Sequence, residues 1–177
     1  MGMAEAAPPR TARIAGAIYV LVFISGIYAV MRLPGAEVAN LIAGVCYIAV
    51  TVLFYFIFRP AGRGISLLAA AVSLAGIAWG MLTAAGRAPL QLNPLVFFGV
   101  YCLLIGWLIF RSRFLPHLLG WGMVIGGLGW LTFVSHALGQ SLFPWNLAPG
   151  MIGEGALTLW LVVKGVDEAR WKQQAAA

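Results

Sequence analysis

The chain has 177 residues, 62% of them hydrophobic and 9% charged, with a formal net charge of +6 and a mean hydropathy of +0.95. A soluble domain is about half apolar and a quarter charged, so this sequence lacks the polar atoms to cover a water-facing surface. A disordered chain and a disulfide-stapled scaffold are excluded too: the first needs low hydrophobicity, the second many more than the 2 cysteines present.

About 20 consecutive apolar residues form a helix long enough to cross the hydrocarbon of a bilayer. In chain order such runs cover residues 14–31, 38–58, 65–85, 93–110, 118–138 and 148–166. Short separators carry the proline and glycine that end a helix: Pro34-Gly35, Pro60 to Gly64, Gly86 to Pro89, Pro116, and Gly139 to Pro144. None of the runs alternates with the period of two that a membrane barrel requires. The sequence therefore predicts an all-α, polytopic membrane helix bundle of six transmembrane helices. It divides into an N-terminal segment 1–13, a transmembrane domain 14–166 and a C-terminal tail 167–177.

Basic residues flanking the spans fix orientation, because they resist translocation. With six spans, Arg10, Arg13, Arg59, Arg63, Arg111, Arg113, Lys164, Arg170 and Lys172 fall on one side, and Arg32 and Arg87 on the other. That 9-to-2 partition of all 11 basic residues predicts both termini in the cytoplasm, at the inner membrane. The positive charge then reads as topology and contact with anionic headgroups; no soluble face exists for nucleic acid. The first run is longer than a signal-peptide core and lacks a small-residue cleavage site, so it reads as a retained helix. Trp107, Trp121 and Trp160 fall near the inner ends of helices and Trp145 in an outer loop, whereas Trp79 and Trp130 fall mid-span as packing residues. Arg59, Arg111 and Lys164 close alternate helices at intervals of 52 and 53 residues, which a ladder of equal spans explains without duplication.

Polar groups inside the spans are the candidates for function, since each is held there against the cost of leaving water. Glu154 is the one acid within a span, flanked by Gly153 and Gly155, which admit a neighbouring helix or ligand. Two readings stand: a proton carrier, cation contact or ligand anchor, and a buried or protonated carboxyl bonded to a neighbour. His136, one short loop earlier, is the expected partner. His117 and His136 are the only histidines, 19 residues apart on the expected fifth helix, about 28 Å along its axis. That spacing excludes bis-histidine haem within one chain. No cofactor or metal is expected: Cys46 and Cys102 stand alone, and no zinc, hydrolase or phosphate-loop motif appears. Gly76/Gly80 and Gly122/Gly126 have the spacing for close helix packing, and Asn40 and Asn93 are expected to cap the second and fourth helices.

Three strings carry a resemblance: Thr11 to Gly16, Phe97 through Cys102 and Phe110-Arg111-Ser112 to Gly120, and Gly153-Glu154 through Trp160 to Gly165. Together the sequence resembles the bacterial membrane proteins grouped as domain of unknown function 4386, over residues 11–166. The resemblance implies a multi-helix inner-membrane protein without an established activity. It also implies a glutamate in the last helix, here Glu154, and a histidine in the fourth, where this chain has Tyr101. The expected function is non-catalytic: binding of a small or lipidic ligand, or of a partner subunit, in an intramembrane cavity near Glu154 with Tyr101 and His136 beside it. The expected partners are the bilayer and a homo-oligomer or larger membrane complex. A small ion- or proton-coupled transporter is the alternative, and a membrane-embedded enzyme the third reading.

Overall fold

The computed structural model describes residues 8–31, 33–90 and 92–177, which leaves Arg32 of the charge tally outside it. Among the described residues eight α-helices follow one another: α1 (Pro8–Val30), α2 (Ala36–Phe58), α3 (Arg63–Ala84), α4 (Leu95–Arg111), α5 (His117–Leu131), α6 (His136–Leu142), α7 (Ala148–Val163) and α8 (Glu168–Ala175). Single 3-10 turns, Thr132–Val134 and Trp145–Leu147, flank α6. No strand occurs among the described residues. Five segments among the described residues are long and apolar enough to cross a membrane: Pro8–Ala29, Ala36–Phe58, Arg63–Ala84, His117–Val134 and Trp145–Val163. The apolar helix Leu95–Arg111 is shorter.

The long helices form a ring. Each of α1 to α5 packs on its sequence neighbour, α5 then packs on α7, and α7 returns to α1 to close the circle. Apolar side chains fill the core, Val50, Phe54, Ile105 and Leu157 among them, and cover the outside as well. Ile24, Val38, Leu67, Leu118, Ile125 and Ile152 are exposed on the outside, while Thr51, Ser66, Ser73, Asn146, Glu154 and Thr158 are buried within. A surface of that kind is stable only against an apolar solvent, where every backbone group must be satisfied inside its own helix. The protein is a multi-pass helical membrane protein.

Glycine sets how closely the helices approach. A Cβ on Gly126 would lie 3.0 Å from the Gly150 Cα, and one on Gly153 would run into the Gly122 carbonyl. On the other face of α5, Gly127 meets Gly99 and Gly120 meets Gly106, both on α4. The expected Gly122/Gly126 pair thus serves packing within the chain. Without a hydrophobic force between helices in lipid, such approach is what gives them dispersion contact.

Three expectations need correction. The fifth helix does not reach residue 138: α5 stops at Leu131, a 3-10 turn follows, and Ser135 takes an extended conformation to cap α6 through Leu138 N–H. Side chains enforce the break, because Thr132 bonds back to the Gly129 carbonyl and Asn146 donates to both Thr132 Oγ1 and the Gly139 carbonyl. His136 therefore opens α6 and does not share a helix with His117. Asn40 lies inside α2, which begins earlier, after Gly35 with φ +86. Asn93 does cap α4, accepting from Leu95 N–H at 3.0 Å. The first helix starts at Pro8, inside the segment expected to precede it.

At one end of the ring the tail folds back as a strap. Gly165, with φ +71, closes α7 in the left-handed conformation that glycine permits and turns the chain toward α8. The Trp171 indole donates to the Ile57 carbonyl at 2.8 Å, and Gln174 both accepts from Arg113 N–H and donates to the Arg111 carbonyl. The start of α1, the α2–α3 turn, the α4–α5 loop and α8 consequently share one end. Trp171→Phe removes one hydrogen bond of about 1 kcal/mol. It is expected to speed amide hydrogen exchange over residues 168–175 while exchange in α2 and α4 stays unchanged.

Candidate functional site

Glu154 is 3% exposed, on the face of α7 turned toward the ring interior. Both carboxyl oxygens are occupied. The Trp130 indole N–H donates to Oε1 at 2.6 Å, and the Tyr19 hydroxyl donates to Oε2 at 2.9 Å. These donors come from α5 and α1, so one side chain links three helices at the seam where the ring closes. The Cys102 thiol, on α4, lies beside the same carboxyl. Local sequence makes room for this. Gly150, one turn before Glu154, has the Trp130 indole in the space a Cβ would take, and Gly153 presses on Gly122 of α5. Gly155 faces open space.

Around the carboxyl stands an aromatic layer. Tyr19 meets Tyr47 and Phe54 edge-on at 5.9 Å each, Tyr47 meets Phe98 at 5.4 Å and Tyr101 at 5.9 Å, and Phe98 meets Trp130 at 5.6 Å. Apart from the tilted Phe98–Trp130 pair these contacts are edge-to-face, a favoured geometry between ring quadrupoles. Among the described residues two polar groups in this layer have no hydrogen-bond partner: the hydroxyls of Tyr47 and Tyr101 are buried and unbonded. The Thr158 hydroxyl, one turn beyond Glu154, is in the same state. In contrast, Thr51 of α2 and Ser73 of α3 satisfy each other at 2.6 Å.

A cavity of about 160 Å³ opens on the far side of this layer, between α2, α3 and α4. Tyr47, Ser73, Pro94, Leu95 and Phe98 line it, and Gly76 forms part of its wall. Tyr47 is shared: it lines this space and also packs edge-on against Tyr19, the donor to Glu154.

Of the residues expected at the site, Glu154 and Tyr101 belong to one interior and His136 does not. Tyr101 is 1% exposed within the aromatic layer. His136 is exposed beyond the end of α5, beside a separate cavity of about 100 Å³ with Asn93, Phe133 and Gln140. No hydrogen bond joins it to Glu154 among the described residues; Trp130 and Tyr19 take that place. Sequence reasoning missed both donors. One signal was present: an indole N–H in mid-span needs an acceptor, and the spans contain one acid. Among the described residues no three His, Cys, Asp or Glu side chains converge to hold a metal ion.

Fold and site define a multi-pass membrane bundle whose closure is tied by a buried carboxyl. Residues 81–165 match the family described as "Domain of unknown function (DUF4386)", the family that the sequence strings resemble. The match takes in the second and third of those strings and Glu154, and not the first. An uncharacterized protein of Archaeoglobus fulgidus is 27% identical over 134 residues, covering 67% of this chain and 76% of the relative. No solved structure matches the chain.

Proposed function

We propose that the protein is a non-catalytic inner-membrane binding protein with six spans and cytoplasmic termini, which takes a small apolar ligand from the bilayer into the cavity beside Tyr47. The single observation that carries this is the pairing of an apolar recess with the unbonded hydroxyl of Tyr47, a residue that lines it. A cavity near 150 Å³ accommodates one benzene-sized ring. The walls supply aromatic and aliphatic surface and Tyr47 a hydroxyl without a partner, whereas the Ser73 proton is spent on Thr51, so a ring or short chain bearing one hydrogen-bond acceptor fits the chemistry. Glu154 serves from behind the wall: by holding Tyr19 and Trp130 it positions the rings that Tyr47 and Phe98 pack against.

Topology is supported by the way the chain ends meet. Gly165, after α7, lies against Pro9 at the start of α1, as an even number of crossings requires. Counting α4 as a crossing gives six. Its 17 residues reach about 25 Å, and its place between α3 and α5 lets those longer neighbours share the mismatch with the bilayer. The basic residues then gather at the α8 end, which faces the cytoplasm.

Tyr47→Phe tests the reading, because that hydroxyl has no internal bond to lose. Native mass spectrometry of the chain purified in mild detergent should find a small molecule retained by the wild type and lost from the variant. Its melting temperature should be equal or higher, since an unpaired buried hydroxyl has been removed. A wild type that carries no small molecule from the membrane would defeat the proposal.

A further inference from the structure

A second pocket lies at the opposite end of α2, outside the aromatic layer. It is an open recess of about 360 Å³, lined by Tyr55, Arg59, Pro60 and Arg63, with Ala175 of the strap helix as a wall. Tyr55 and Arg59 are one turn apart on α2, and Arg63 opens α3 across the tight turn that Ala61 N–H makes with the Phe58 carbonyl. Two guanidiniums are thereby brought to one recess. The Arg59 guanidinium lies 5.5 Å from the centre of the Phe56 ring, a cation–π contact that helps to hold it beside the recess.

Charge balance points the same way. Two acids stand on or next to the strap helix, and each is used there: Asp167 pairs with Arg170 at 3.4 Å and Glu168 with Lys172 at 2.7 Å. Neither Arg59 nor Arg63 has an acidic partner among the described residues. A recess of this volume is in the range of small-ligand sites. Guanidiniums bind phosphate oxygens in pairs of parallel hydrogen bonds, and a tyrosine hydroxyl adds a third donor. The recess lies at the end of α2 and the start of α3, where their apolar runs stop; on the six-span reading that is headgroup level, where lipid phosphates sit.

We propose that the Arg59–Arg63 recess is a binding site for the phosphate group of a phosphate ester, walled by α8. The group belongs either to an anionic lipid headgroup or to a soluble phosphate ester. The site is independent of the ligand cavity at Tyr47.

Native mass spectrometry of the full chain in neutral detergent tests it, with dioleoylphosphatidylglycerol as the lipid probe and glycerol 3-phosphate as the soluble one. One probe molecule should bind ahead of all others. R59Q/R63Q should weaken that first binding about tenfold or more, as loss of charge-assisted hydrogen bonds implies. R10Q/R13Q, which removes the same charge from exposed positions at the same end, should leave it unchanged. R59K/R63K, which keeps the charge without the planar fork, should fall between. Lipid binding that glycerol 3-phosphate cannot displace identifies the headgroup as source; saturable binding of glycerol 3-phosphate alone identifies a soluble ester. Equal weakening by R59Q/R63Q and R10Q/R13Q would overturn the site in favour of net charge, and so would failure of both probes to bind ahead of nonspecific adducts.

Discussion

Gly153→Ala should lower the stability of the bundle by about 2–3 kcal/mol, read as a drop in melting temperature in detergent, while Gly155→Ala should be neutral or stabilising. The two positions share one helix, two residues apart, and the same gain of up to about 1 kcal/mol when alanine replaces glycine in a helix. They differ in what a methyl group meets. At Gly155 there is nothing within 4 Å; at Gly153 the new carbon runs into the Gly122 carbonyl, a backbone group that cannot rotate away. Relief requires α7 to move off α5 along the line where Gly126 meets Gly150 and Gly129 meets Asn146. That shift also pulls Glu154 away from Trp130. Equal melting temperatures for the two variants would mean that α5 and α7 are not in glycine-mediated contact.

How much of this could be read from the sequence depended on range. The apolar runs placed the long helices because in lipid a spanning segment must be continuous and apolar, a property of neighbouring residues alone. The end of α5 escaped the same logic, since residues 118–138 stay apolar past the break. The cues there were Thr132, Ser135 and Asn146, whose side chains compete with the helix for backbone groups. Gly122 and Gly126 were legible as a packing edge from spacing. Glu154 stood out as the one acid in a span, yet its partners did not, being 135 and 24 residues away on other helices. His136 was expected beside it because the two are near in sequence; the α6 capping turn takes that side chain outside the ring. Which helices touch is a tertiary fact, and α1 meeting α7 has no local signature.

Loss of the carboxyl at position 154 should release α1 from the ring. Glu154→Leu puts an apolar side chain of similar bulk in its place and leaves the Trp130 and Tyr19 donors buried without an acceptor, at about 1–3 kcal/mol for each group so stranded. Glu154→Gln should cost less, about 1 kcal/mol, because its carbonyl still accepts from Trp130 and only the Tyr19 hydroxyl proton loses its acceptor. The decisive variant is the triple change Glu154→Leu, Tyr19→Phe, Trp130→Phe. It removes donors and acceptor together, so it should melt above the temperature that the three single effects would give if they added. Hydrogen exchange should locate the damage: in Glu154→Leu, α1 around Tyr19 should exchange faster while α3, which does not touch the network, keeps its protection. The ring explains that pattern. α2 holds α1 on one side through ordinary side-chain packing, but on the other side the seam with α7 has one side-chain hydrogen bond, from Tyr19, and close backbone approach at Gly16. If the triple variant is destabilised by the full sum of the single effects, the three side chains act independently and the seam is held by packing at Gly16 instead.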